Sequence, residues 1–392
     1  MNPGEIGKLR PNLPTAVDNR PGARLELPSP YRVPVSWIRT HAPAVIRWRT
    51  VRDVLPAGAA TDAVVEALKA EVLQQKEVLR LMKKQKGTGT WGDNILGVAP
   101  SKAQGIKDVG TVAAYRRLVE MGVGPDQRAF RLADRVLYRL LSRDEDPALL
   151  FEFQRAAKGV PELAQWARAI MRQGATAALA HAGYVEDPRV RGAAHRTASD
   201  VSNFLRSELA EKPFVRKGAK TVLHPEAQPP TLFSVATVSY MPSLQRERAG
   251  FVDRLAQFLA HPAPKKAWAI QVGRKTVHPQ YHLLGDPLQA DSSGHPKDLA
   301  LSLHWIELLI RLGALKSSPT ASRILARLLE ECDANGVWNP KNLRTLPKSP
   351  SKLADFAFPI DTDGKTPESR QAEITFRLAH LAKLAGSTLE FV

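Results

Sequence analysis

The chain has a single cysteine, Cys332, among 392 residues, so no internal disulfide can form and the expected compartment is reducing. No apolar run approaches the ~18 residues that a membrane-spanning helix needs, and the expectation is a cytoplasmic protein without a transmembrane segment. Aromatic residues are scarce, at 6 %, which argues against chemistry through carbocations, because those need aromatic faces around them. Acidic residues are in deficit, 39 Asp+Glu against 56 Lys+Arg, for a formal charge of +17. That balance points to nucleic acid or another polyanion as partner. The excess is spread along the chain rather than gathered in one block.

Complete catalytic signatures are also lacking. There is no Gly-x-Ser-x-Gly elbow, and no Gly-x-Gly-x-x-Gly follows a strand. Gly364-Lys365-Thr366 ends like a phosphate loop, but Pro359 stands where its first glycine belongs, and a proline ring without an N–H cannot cradle phosphate. No cofactor is expected. His278 and His282 are four apart and on a helix would share one face, which makes them the candidate metal ligands. Pro279 between them disturbs a helix, and the Glu of a metalloprotease motif is absent.

What the sequence does contain is helical periodicity, from Ser36 onward. Over 126–143, Phe130, Ala133, Leu137, Leu140 and Leu141 recur at three- and four-residue spacing, while Arg128, Arg131, Arg135 and Arg139 take other faces. Pro43, Pro147, Pro161, Pro188 and Pro319 mark helix starts, where a missing N–H costs nothing. The count is about fourteen helices, an all-α fold class. Glycine ends helices at Gly122, Gly183 and Gly313, with a proline soon after each. Each unit reads as a helix hairpin whose apolar face needs neighbours, and stacked hairpins make either an α/α toroid or an open α-solenoid.

Residues 1–34 carry seven prolines and read as an extended or disordered arm, neither a secretory signal nor a transit peptide. A helical-repeat domain follows over 35–386, with a short C-terminal tail at 387–392. Two Pro/Gly/His-rich stretches, 212–230 and 262–297, read as long loops, the kind of segment in which function often sits.

Two helix ends share one pattern: Leu81-x3-Gln85-x3-Gly89-x-Trp91 and Leu328-x3-Cys332-x3-Gly336-x-Trp338. In both, a glycine stops the helix and a tryptophan lies back over its end. The first resembles the QW motif of the α/α-toroid superfamily of terpenoid cyclases and protein prenyltransferases. The second departs from it, with Cys332 in the glutamine slot. The resemblance implies isoprenoid chemistry or binding in a central cavity. Its cyclase branch uses an Asp-x-Asp-Asp acid, to which Asp361-Thr362-Asp363 is the nearest match, so Asp361 and Asp363 are the catalytic candidates it implies. Its prenyltransferase branch holds zinc with Asp, Cys and His. Cys332, Asp333 and His380 are the residues at hand, but position 330 is Glu and the Asp-x-Cys spacing is missing.

The residues themselves favour a different function, a helical-repeat binding protein with a basic surface. The candidate contacts are Arg80, Lys83, Lys84 and Lys86 near Trp91, and Arg206, Lys212, Arg216, Lys217 and Lys220 near Phe214. Such groups bind a phosphate backbone without reading its sequence.

Overall fold

A computed structural model of the protein describes residues 30–97, 110–142, 146–341, 345–347, 349–350, 353–361 and 366–392. The order begins with β1 (Tyr31–Val33), α1 (Val35–His41) and α2 (Ala44–Arg49), the last prolonged by a π-helical turn over Thr50–Val54. Then come α3 (Asp62–Leu73), α4 (Lys76–Lys84), α5 (Thr111–Glu120), α6 (Arg128–Leu141), α7 (Gln154–Ala157), α8 (Pro161–His181) and α9 (Pro188–Arg206). The hairpin β2 (Phe214–Lys217) and β3 (Lys220–Leu223) precedes α10 (Leu232–Ser239), α11 (Pro242–Glu247) and α12 (Ala249–Ala260). A second hairpin, β4 (Ala269–Val272) and β5 (Lys275–Val277), leads to α13 (Leu299–Arg311), α14 (Pro319–Glu330), α15 (Pro367–Leu384) and β6 (Leu389–Phe391).

The chain is mostly helical, as the periodicity predicts. In α6 the stripe of Phe130, Ala133, Leu137, Leu140 and Leu141 is buried, while Arg128, Arg131, Arg135 and Arg139 lie off that stripe. Pro161, Pro188 and Pro319 are the first residues of α8, α9 and α14. The glycine stops at the ends of α5, α8 and α13 are built alike. Gly122, Gly183 and Gly313 take positive φ, and the next amide reaches back five residues, from Val123 to Leu118, Tyr184 to Leu179 and Ala314 to Leu309. This is the Schellman bond, which satisfies a carbonyl left over at the helix end.

Six helices pack one on the next: α5 on α8, α8 on α10, α10 on α13, α13 on α15, and α15 on α2. Other helices cover them from outside, α3 on α2, α6 and α9 on α8, and α14 on α13. The inner helices are buried nearly all round, as in α13, where every residue from Leu299 to Ile310 is buried.

Strands are where structure and expectation part. The stretches read as loops at 212–230 and 262–297 each contain a hairpin, and the two join as one sheet in the order β2-β3-β4-β5, antiparallel except for the parallel pair β3–β4. Their strands are three or four residues long, too short for a period of two to show. The residues read as a tail form β6, which pairs in parallel with β1, Tyr31 opposite Leu389 and Val33 opposite Phe391. The two ends of the described chain are thereby tied together, and Arg32 adds an ion pair to Glu390 at 3.0 Å.

Candidate functional site

The small sheet gathers cations. Arg216, Lys217 and Lys220 lie at and around the β2–β3 turn, and all three are exposed. Because β3 and β4 run parallel, the start of β4 lies at this same end, and exposed Lys265 and Lys266 precede it by a few residues. At the far end the β4–β5 turn presents Arg274 and Lys275, and Lys212 leads into β2, all exposed. From Lys220 to the residue level of Val272 and Lys275 is about five residues of strand, roughly 17 Å at ~3.3 Å per residue. None of these eight side chains has a carboxylate partner among the described residues. Beside them Phe214 packs against Trp268, ring centroids 5.7 Å apart. Lys212, Arg216, Lys217 and Lys220 are legible as a cluster in the sequence. The other four converge through the strand register.

The second sequence candidate is partly neutralised. Arg80 pairs with Glu77 at 2.6 Å and Lys86 with Asp93, which leaves Lys83 and Lys84 as the exposed cations of α4 without a carboxylate.

A second concentration of charge is buried where the C-terminal parts of the inner helices meet. Glu120, 1 % exposed, takes Arg377 at 3.1 Å, Arg49 at 3.0 Å and His181 Nε2 at 3.2 Å. Burial alone would raise its pKa, yet Arg377, Arg49 and His181 outweigh burial and hold the carboxyl well below its ordinary value. Glu307 is paired with Arg311 at 2.9 Å. Glu373 accepts the Ile360 amide at 2.8 Å, and burial pushes its carboxyl up to about 7 against the pull of Arg377. His181 and His380 are lowered by burial to about 4 and His304 to about 3, so all three imidazoles are neutral at physiological pH.

Residues 353–361 lie over this cluster. Arg117 donates to the carbonyls of Asp355 at 2.9 Å and Pro359 at 2.6 Å, and Arg377 donates to that of Ala357. The Phe356 ring sits 3.9 Å from the Arg116 guanidinium and 5.0 Å from the His304 ring. A groove of about 680 Å³ opens beside the cluster, between α3 and the turn after α5, lined by Trp48, Arg52, Lys69 and Phe130 and reaching His181.

The two Trp-ended junctions share one geometry. Gln85 bridges Trp91, and Cys332 bridges Trp338. The Trp91 amide donates to Thr111 Oγ1 at 3.1 Å and the Trp338 amide to Thr375 Oγ1 at 3.0 Å. The ring nitrogens differ, Trp91 Nε1 donating to the Leu81 carbonyl and Trp338 Nε1 to Glu331. Gln85 binds the carbonyls of Gly89 and Ala129. The shorter Cys332 reaches the Leu328 carbonyl at 3.6 Å and lies beside the Tyr31 hydroxyl, and burial with Asp333 and Glu331 nearby raises its thiol to about 12, which makes it a poor thiolate ligand. A third copy, with no tryptophan to announce it, runs from Ala290 to Pro296: the same bridge spans six residues, the glycine is Gly294, and Asp291 Oδ1 caps the Ser293 and His295 amides as Asp333 Oδ1 caps those of Asn335 and Val337. The shared Asp-x-x-Gly spacing is its one trace in the sequence.

Of the remaining candidates, Asp361 accepts a hydrogen bond from Ser369 at 3.3 Å and its amide points to Glu373, while Asp363 lies outside the described residues. His278 is exposed and His282 stacks on Trp166, 6.2 Å between centroids. The segment holding both histidines is not helical, so their spacing has no helical face to share. Among the described residues no three His, Cys, Asp or Glu side chains form a group fit to hold a metal, and no helix is long and apolar enough to cross a membrane. Comparison with protein-family models, with curated proteins and with solved structures finds no match for this chain.

Proposed function

We propose that the protein binds a polyanion, a nucleic acid backbone in the first instance, along its cationic β-sheet, and that the helices are the frame that presents the sheet. The observation carrying this reading is the row of eight exposed cations, Lys212, Arg216, Lys217, Lys220, Lys265, Lys266, Arg274 and Lys275, none paired with a carboxylate among the described residues. Like charges set along one short sheet repel one another, and a chain of phosphates relieves that repulsion while releasing its own counterions. The sheet holds no group arranged to read base edges, so recognition rests on charge, with the Phe214–Trp268 pair as neighbouring aromatic surface.

In the same reading α2, α5, α8, α10, α13 and α15 are the inner wall of an α/α toroid. Their packing, which comes round from α15 to α2, and the β1–β6 pairing support it. The isoprenoid alternative draws on the paired tryptophan junctions, but it needs an apolar chamber where this chain places Arg49, Arg116, Arg377, Glu120 and Glu307, so the sheet carries the proposal.

The test is fluorescence anisotropy of a labelled oligonucleotide across a salt series, with Lys217, Lys220, Arg274 and Lys275 changed together to Gln in the comparison protein. Tight binding at low salt that weakens steeply as salt rises, and is weaker and less salt-dependent in the variant, is the expected result. Absence of binding at ~20 mM salt, far below the screening of physiological buffer, overturns it.

A further inference from the structure

Four arginines are buried among the described residues, Arg49, Arg116, Arg117 and Arg377. Three have carboxylates: Arg49 and Arg377 share Glu120, and Arg117 meets Glu77 at 3.2 Å. Arg116, 1 % exposed, has none within ion-pair distance among the described residues. A guanidinium cannot shed its proton to escape this, and a buried cation without a counterion is costly.

Two imidazoles face Arg116. Its Nε lies 3.4 Å from His181 Nδ1 and its Nη2 3.3 Å from His304 Nε2. An arginine only donates, so both contacted nitrogens are acceptors and the hydrogens sit on the far side of each ring. His181 spends its hydrogen on Glu120. His304, 0 % exposed, has no acceptor for its Nδ1 hydrogen, and the buried hydroxyl of Tyr240, whose ring stacks 4.4 Å from His181, lies beside Arg116, toward which its oxygen can only accept, and has no acceptor for its own hydrogen. One positive charge and two donors without acceptors therefore meet at Arg116, and the Phe356 ring covers the guanidinium at 3.9 Å.

We propose that Arg116, His304 and Tyr240 form an anion site for a carboxylate-bearing ligand, and that Phe356 closes it in the empty state. A carboxylate fits better than phosphate on two grounds. A planar carboxylate pairs with the planar guanidinium through two parallel bonds. The uncompensated charge is a single one, with Glu120 and Glu307 close enough to act on Arg116 electrostatically, so a dianion would meet repulsion that a monoanion largely avoids. The groove that reaches His181 is the route by which a ligand would arrive. This site is separate from the cationic sheet and does not depend on the sheet's function.

The test is isothermal titration with sodium benzoate and sodium acetate, against sodium chloride and inorganic phosphate at matched ionic strength. The proteins are the wild type, Phe356→Ala and the milder Phe356→Leu, each with and without Arg116→Met, with the thermal midpoint checked for folding. Opening the cover is expected to tighten carboxylate binding at least tenfold, by about 1.4 kcal/mol, and Arg116→Met to abolish it in every background. Failure of folded Phe356 variants to bind either carboxylate saturably, binding that survives Arg116→Met, or binding of phosphate without carboxylate overturns the proposal. If neither Phe356 variant folds, the thermal midpoint of the wild type in rising benzoate decides: a benzoate-specific rise that Arg116→Met removes sustains the site, and no rise overturns it.

Discussion

The backbone amide of Trp338 donates to Thr375 Oγ1 at 3.0 Å, and through that bond the end of α14 is fixed to the inner helix α15. The bond from Trp91 to Thr111 does the same for α4 and α5. Both tryptophans are 4 % exposed, so water cannot stand in for a missing partner. Thr375→Val and Thr111→Val are each expected to cost about 1–3 kcal/mol, the range for a buried donor left without an acceptor. Urea unfolding measures it, and an unchanged midpoint in both variants would remove the junctions from the account of stability.

Glu120 holds Arg49, Arg377 and His181 at once. Glu120→Gln keeps the shape and removes the carboxylate that Arg49 and Arg377 share, while Asp53 stays with Arg49 and Glu373 and Glu307 lie 3.7 and 3.9 Å from Arg377, and is expected to destabilise by about 3 kcal/mol, the low end for a broken buried pair. The double variant with Arg377→Met should recover part of that loss, since one of the two guanidiniums goes with it. Additive losses in the double-mutant cycle would show that the two residues do not act as a pair.

These two features differ in how far the sequence announced them. The junctions were legible because glycine and tryptophan at fixed offsets from a helix end have few other uses. The charge cluster was not. Arg116, Arg117, Glu120, Glu307 and Arg377 sit in helices where a polar residue ordinarily marks a solvent face, and only the packing of these helices against one another makes those faces interior. The sheet was missed for a related reason. Its order depends on pairing between residues about fifty apart, as in Val222 with Ala269, and local periodicity carries no record of that.

Acidification is expected to weaken the fold between pH 6.5 and 4. Burial lowers His181, His282 and His380 to about 4 and His304 to about 3, so over this window the unfolded chain binds protons that the folded one refuses. Stability is then full above pH 6.5 and falls as pH drops. Glu152 and Glu373, raised by burial to about 7, act in the opposite sense, because the folded chain takes up their protons first. Four histidines outweigh two glutamates, and at ~1.4 kcal/mol per pKa unit the net loss is on the order of several kcal/mol. Urea midpoints across the range check the sign, His304→Asn should flatten the slope, and a midpoint that rises from pH 6.5 to 5 would reverse the assignment.

The two cationic candidates separate by salt dependence. The slope of log K against log salt falls by about 0.7–0.9 for each phosphate that the protein ceases to neutralise. Replacing Lys217, Lys220, Arg274 and Lys275 by Gln should therefore reduce the slope by roughly 3. Replacing Lys83, Lys84 and Lys86 should change it by less than about 1, because Asp93 already holds Lys86 and the group lies on α4 rather than on the sheet. Equal reductions from both sets would mean that the polyanion wraps both surfaces, and a larger effect from the α4 set would move the site there.

The three junctions make graded demands on their glycines. Gly89, Gly336 and Gly294 all take positive φ, 91°, 87° and 85°, and alanine in that conformation costs about 1–2 kcal/mol at each. Space distinguishes them. A methyl group on Gly89 would fall on the Leu132 carbonyl and one on Gly336 on the Arg32 carbonyl, both backbone atoms that cannot swing aside, whereas at Gly294 the nearest atom is 3.2 Å away and the next two belong to the side chains of Arg323 and Arg327. Gly89→Ala and Gly336→Ala are therefore expected to cost about 2–5 kcal/mol, overpacking added to strain, and Gly294→Ala only the strain. Gly336→Ala also presses on β1, so it should loosen the pairing of β1 with β6, seen as faster amide exchange at Tyr31 and Val392, whose amides bond across that seam. Equal destabilisation at all three positions would mean that backbone conformation alone sets the requirement for glycine and that the close approach to β1 contributes nothing.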